Sequence, residues 1–190
     1  SVFKKSVKAN SKLELAYKYL NERAFVSFKY RKRSYLFNVM KIEENEHTIR
    51  CYCENLSLEL LLEYRNAYKA PKAMSFKEYF DDWGLSQYAK LTLGINEVSD
   101  QKKTLEWEGQ ETTLARLLSL ARNFDAEIEF DTRLKPNSQL DKFILNVYKA
   151  HDGKNQGVGR KRSDIVLKYG KNITGIKRSV DKTQVYNAIH

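Results

Sequence analysis

A chain of 190 residues with 42% hydrophobic and 31% charged side chains has a globular composition, and it is long enough to bury a core without a metal or disulfide staple. Its longest apolar runs are three residues, Leu60 to Leu62 and Phe143 to Leu145 among them, far short of the roughly 20 residues that a membrane-spanning helix needs. The net charge of +10 lies at the two ends: residues 1–50 hold 12 basic against 5 acidic side chains, residues 51–150 hold 13 against 16, and residues 151–190 hold 9 against 3. Such asymmetry speaks to association with nucleic acid, an acidic protein surface or an anionic polymer.

The chain begins with Ser1 and no basic-then-apolar leader follows, so it is expected to be a piece of a longer polypeptide. Residues 1–10 show no clear period and read as an arm. Ser11 to Glu22 can open a helix. Val26, Phe28 and Tyr30 then alternate with polar residues, a turn is expected at Arg31 to Ser34, and Tyr35 to Ile42 continues the alternation, which is a hairpin pattern. A second polar turn at Glu43 to Glu46 leads to a third strand, Thr48 to Cys53, with Ile49, Cys51 and Cys53 on one face. The two cysteines are too few for a closed Cys-only zinc site and read as small buried hydrophobes; a chain without a disulfide framework suits a reducing compartment.

Glu54 or Asn55 to Tyr64 reads as an apolar helix carrying Leu56, Leu60 and Leu61. Ser75 and Glu78 have capping-box spacing, Phe76, Tyr79, Phe80 and Trp83 follow at helical intervals, and Gly84 can end the helix in the left-handed region. Leu91 to Leu93 and Thr104 to Trp107 are short strand candidates. Thr112 or Thr113 can cap a helix with Leu114, Leu117, Leu118, Ala121 and Phe124 on its core face. Ala126 to Asp131 alternates, placing Ile128 and Phe130 inside and the acids outside. Further strands are expected at Lys142 to Tyr148, Ile165 to Tyr169, Ile173 to Ser179 and Gln184 to Ile189.

His47, His151 and His190 show no metal-ligand spacing and accompany no nucleophile elbow. The acid pairs Asp81-Asp82 and Glu43-Glu44 are adjacent in sequence and do not share a face. No catalytic, metal-binding or cofactor-binding residue is therefore assigned. The loop His151 to Arg162 lacks the ending of a phosphate-binding loop, although its glycines expose amides next to cations. Arg31-Lys32-Arg33, flanked by Tyr30 and Tyr35, can contact phosphates and stack bases. Arg31, Lys32, Arg33, Arg160, Lys161 and Arg162 are thus the candidate anion or partner contacts.

Three stretches resemble the N-terminal hub region of phage tail-tip proteins of the prophage endopeptidase tail, or tail-associated lysin, family: Ile49 to Leu60, Glu111 to Phe130 and Leu167 to Asp181. The resemblance implies an α+β chain with β-barrel-like terminal segments and a central α+β insertion, similar to phage baseplate hubs: residues 1–53 in a hub domain, 54–131 as the insertion, and 132–190 as a β-rich return. It further implies a virion component that closes the tail tube and takes part in host attachment and genome delivery. The implied partners are two further copies in a homotrimer, a distal tail ring, a tape-measure protein and DNA in the channel. In such proteins peptidoglycan cleavage resides in a separate C-terminal domain. The other readings are a basic nucleic-acid-binding module and a cell-wall hydrolase.

Overall fold

The computed structural model describes residues 2–3, 12–61, 63–88, 90–159, 162–177 and 179. Contacts divide the chain into two units, residues 1–159 and residues 160–190. The expected strand Gln184 to Ile189 lies outside the described residues.

The first unit opens with β1 (Val2–Phe3) and α1 (Lys12–Tyr19), followed by three antiparallel strands, β2 (Phe25–Tyr30), β3 (Arg33–Glu44) and β4 (Thr48–Asn55). The hairpin turn is tighter than the expected Arg31 to Ser34. Only Arg31 and Lys32 connect β2 to β3, and both have positive φ, 48° and 66°, as a two-residue turn matching the twist of the strands requires. At Met40 the β3–β4 register shifts, Val39 pairing with Cys53 and Lys41 with Tyr52, so one extra residue bulges and stands exposed.

Residues 56–61 form a 3-10 turn (Leu56–Leu61) where an α-helix was expected. The Asn55 side chain accepts from the Ser57 amide and hydroxyl, both at 3.0 Å, which holds the tighter start. Two short ladders follow, β5 (Tyr64–Arg65) with β9 (Glu111–Thr112) and β6 (Tyr68–Lys69) with β8 (Glu106–Trp107).

Helix α2 (Phe76–Asp82) begins on the expected capping box: the Ser75 hydroxyl accepts from the Glu78 amide and the Glu78 carboxylate accepts from the Ser75 amide. Gly84 follows at φ 61°, a conformation that costs other residues steric strain. After β7 (Leu91–Asn96), helix α3 (Thr113–Asn123) starts on the Thr112 hydroxyl, which accepts from the Ala115 amide. Asp125, at φ 50°, turns the chain from α3 into β10 (Ala126–Leu134), which pairs with β11 (Leu140–Lys149).

The large sheet runs β1-β4-β3-β10-β11-β7, with β2 on the other side of β3. Asn38 pairs with both β2 and β4, and Ser34 pairs with both β2 and β10. β4 and β10 therefore occupy the same edge of β3 in succession, and the sheet branches there. It is mixed α+β and open. The sheets do not close into a barrel, contrary to the barrel-like terminal segments expected, because β3 is spent on joining the strands of the first segment to β10 and β11. β4 runs across residue 53 and β10 across residue 131, so neither of the expected segment boundaries falls in a loop.

The main core lies between the sheet's inner side chains, including Leu36, Phe143, Leu145 and Val147, and helices α2 and α3. Its centre is aromatic. Trp83 packs edge-on against Trp107 at 5.3 Å and Tyr68 at 5.8 Å, and Tyr79 lies 5.6 Å from Trp83; such pairs add about 0.5–1.5 kcal/mol each beyond their buried area. The core face of α3 keeps the expected Leu117, Ala121 and Phe124 buried, with Leu114 packed against them, and departs from expectation in that Leu118 is 44% exposed while Thr113, Arg116 and Leu120 are also buried.

In the second unit, Ile165 to Tyr169 and Ile173 to Ser179 form no strand among the described residues, apart from an isolated bridge between Tyr169 and Ile173. Apolar, β-branched composition alone does not make a strand where no ladder partner is present.

Trp83 is 5% exposed at the centre of the aromatic cluster, so Trp83→Ala is expected to cost about 3–5 kcal/mol. Chemical denaturation followed by circular dichroism measures it.

Candidate functional site

Three places concentrate charge. The first is the tip of the β2–β3 hairpin. The strict alternation of β2 and β3 puts Phe28, Tyr35 and Phe37 on one face, where their rings lie nearly parallel, Phe28 being 5.1 Å from Tyr35 and 5.8 Å from Phe37. Tyr30 continues this face at the tip with the Arg31 guanidinium 5.2 Å from its ring centre. Arg33 is tied to Glu129 of β10 at 2.7 Å. The tip therefore offers Arg31 and Lys32, with Arg33 already paired.

The second place is the loop after β11. The structure brings Glu127 beneath it: its carboxylate accepts from the His151 amide at 2.9 Å and from the Val158 amide at 2.8 Å. Asp152 accepts from the Lys154 and Asn155 amides, both at 2.6 Å. Gly157, at φ 67°, brings the backbone so close that a Cβ would collide with the Glu127 carboxylate. Four amides of this loop, those of His151, Lys154, Asn155 and Val158, are thus occupied by the chain's own carboxylates, which is the role an external anion would have filled. These bonds hold Glu127 and Asp152 below the usual carboxylate range. Arg162, in the second unit, is paired through two nitrogens with Asp164 at 2.8 and 2.7 Å. Arg160 and Lys161 lie outside the described residues.

The third place was not anticipated. Arg65 and Arg116 border a cleft of about 210 Å³ with Tyr68, Asp82 and Trp83. Arg116 is 1% exposed. It pairs with Glu111, donates to the Asn66 carbonyl at 3.2 Å and the Gly109 carbonyl at 3.1 Å, and lies over the Trp107 ring at 5.2 Å. Arg65 donates to the Trp83 carbonyl at 2.5 Å, the Tyr88 hydroxyl and the Thr113 hydroxyl. Tyr68 donates to Asp82 at 2.7 Å, and burial, then that carboxylate, pushes its phenol up. With these donors directed at protein acceptors, the cleft is a clasp between β5, the turn after α2 and the start of α3. A signal existed in the sequence: Arg116 falls on the i, i+3, i+4 stripe of Thr113, Leu117 and Leu120, five residues after an acid.

The adjacent acids are also engaged. Asp81 pairs with Lys77, Asp82 with Tyr68, and Glu43 with Lys41 and the Tyr52 hydroxyl. Among the described residues no group of three or more His, Cys, Asp or Glu side chains could hold a metal ion. Cys51 and Cys53 are free and half-buried, and among the described residues no helix is long and apolar enough to cross a membrane. Comparison with family models, with curated proteins and with solved structures gives no match to this chain.

Removing the Arg116 guanidinium strands Glu111 and two carbonyls, so Arg116→Ala is expected to destabilise by about 3–5 kcal/mol. Arg116→Lys should recover only part of that, because an ammonium cannot span the same acceptors; urea titrations of the three proteins give the comparison. Because the Glu127 carboxyl is depressed in the folded chain, its contribution is complete above its unfolded value of 4.5 and is lost as the pH falls through the lower folded value. Amide exchange should show His151 and Val158 losing protection between about pH 5 and about pH 3, and both already unprotected near neutrality in Glu127→Ala, which removes both acceptor oxygens.

Proposed function

We propose that this chain is a structural component of a phage or prophage tail tip, the hub that closes the tail tube and takes part in host attachment and genome delivery. The reading rests on the resemblance of three stretches to tail-tip hub proteins. One of them, Glu111 to Phe130, folds as a continuous unit of β9, α3 and most of β10 whose first residue pairs with the buried Arg116.

The observation that carries the proposal lies in the third stretch and the residues leading into it. Val166, Leu167, Tyr169 and Ile176 are 66%, 68%, 76% and 78% exposed. Four large apolar side chains left exposed within eleven residues suit a segment that an assembly partner covers. The role proposed is non-catalytic, and it is supported by the engagement of the acid pairs in structural bonds. Two further copies in a homotrimer, a distal tail ring and a tape-measure protein are the partners proposed, and the phage tail tip is the location.

Antibodies raised against this chain are expected to decorate the distal end of the tail in electron micrographs of phage particles induced from a host carrying the gene. Particles that lack the chain, or that are labelled on the capsid instead, would remove the proposal. The hairpin tip favours a second reading, nucleic-acid binding, which is compatible with the first because a tail tip passes a genome.

A further inference from the structure

The β2–β3 turn places two long cations where the backbone resists them. Arg31 and Lys32 both sit at positive φ, in a turn for which Asn-Gly is the unstrained pair. A residue choice that the turn itself disfavours points to a task for the side chains. Neither cation makes an ion pair among the described residues, whereas Arg33 beside them is held by Glu129.

The face running back from the tip is aromatic, with Tyr30 56% and Phe28 47% exposed and Tyr35 and Phe37 behind them. The neighbouring acids of β10 do not cancel the tip's charge. Glu129 is paired with Arg33, Asp131 with Arg133 at 3.1 Å, and Glu127 with loop amides. What remains is a pair of unneutralised cations next to exposed rings. Cations take phosphodiester groups and rings take the faces of unpaired bases.

We propose that this hairpin binds single-stranded nucleic acid, with Arg31 and Lys32 on the phosphodiester backbone and Tyr30 and Phe28 stacking on bases. A duplex presents the same phosphates and withholds the base faces, so it should bind more weakly. The inference stands apart from the tail-tip reading, and neither outcome below bears on where the chain is located.

The test is fluorescence anisotropy of the 190-residue chain with a labelled oligothymidylate, and a mixed-sequence duplex, of about 20 nucleotides each. The discriminating variant is Arg31→Asn with Lys32→Gly, which removes both cations and installs the favoured turn, so the fold is retained. Its plot of log K against log salt should be shallower than that of the parent chain by about 1.4 for the single strand, from two phosphate contacts at about 0.7 each. Tyr30→Ala and Phe28→Ala should each weaken single-strand binding by about fivefold to a hundredfold and leave duplex binding nearly unchanged. An unchanged salt slope in the Asn-Gly variant overturns the inference, and so does equal affinity for single strand and duplex. It is also overturned if the ring variants alter only self-association of the chain in light scattering, which would make the face a contact between copies.

Discussion

The guanidinium of Arg116 is the group on which the first unit's interior depends. Buried charge is costly unless every donor finds an acceptor, and here the acceptors come from different parts of the chain. Glu111 precedes α3, Asn66 lies between β5 and β6, and Gly109 follows β8. Satisfying one residue of α3 therefore fixes two short ladders against the helix. The same guanidinium lies over Trp107, whose ring meets Trp83 and Tyr79, so the polar clasp and the aromatic core are parts of one arrangement. Arg65 repeats the device at the neighbouring joint, binding the C-cap carbonyl of α2 and the first residue of α3.

Strand β3 performs the corresponding task in the sheet. By pairing with β4 along one half and touching β10 at Ser34, it joins the antiparallel meander of the first 55 residues to the β10–β11–β7 layer. The Arg33–Glu129 pair crosses this joint on the outer face. This has a functional consequence, because it withdraws one of the three tip cations into the scaffold while Arg31 and Lys32 remain outside it. Stiff cross-strand pairing in six register steps behind the turn holds those two side chains at the end of a rigid arm.

Internal carboxylates decide how the candidate anion sites divide. The loop after β11 has glycines and amides suited to an anion, and Glu127 and Asp152 already fill it. Arg162 is likewise neutralised by Asp164. In a chain with ten more basic than acidic side chains, the acids are used where backbone amides and interior cations need them. The excess positive charge is left at the hairpin tip and other exposed positions.

What was legible in the sequence was local. The Ser75–Glu78 capping box, the Thr112 cap, the β2–β3 hairpin and Gly84 each depend on groups a few residues apart, so the pattern of residue types is sufficient to place them. Most of the core face of α3 was legible too, since Leu117, Ala121 and Phe124 are buried and Leu114 packs beside them. Apolarity misplaced Leu118, which is exposed, and could not show that Arg116 is buried, because its acceptors lie in distant segments. The apolar stretch after Asn55 reads as an α-helix by composition, yet the Asn55 side chain and the β5–β9 ladder shortened it to a 3-10 turn. The apolar run at residues 165–169 and the segment 173–179 have strand character without a ladder, because a strand is completed by hydrogen bonds from another segment. Sequence by itself thus determined the α+β class, the helix caps and the position of the basic tip, while the strands ran further into the expected turns than the pattern showed. Which cations are free, which acids are occupied and whether the sheet closes were decided by tertiary structure, because each depends on groups that the chain brings together from far apart.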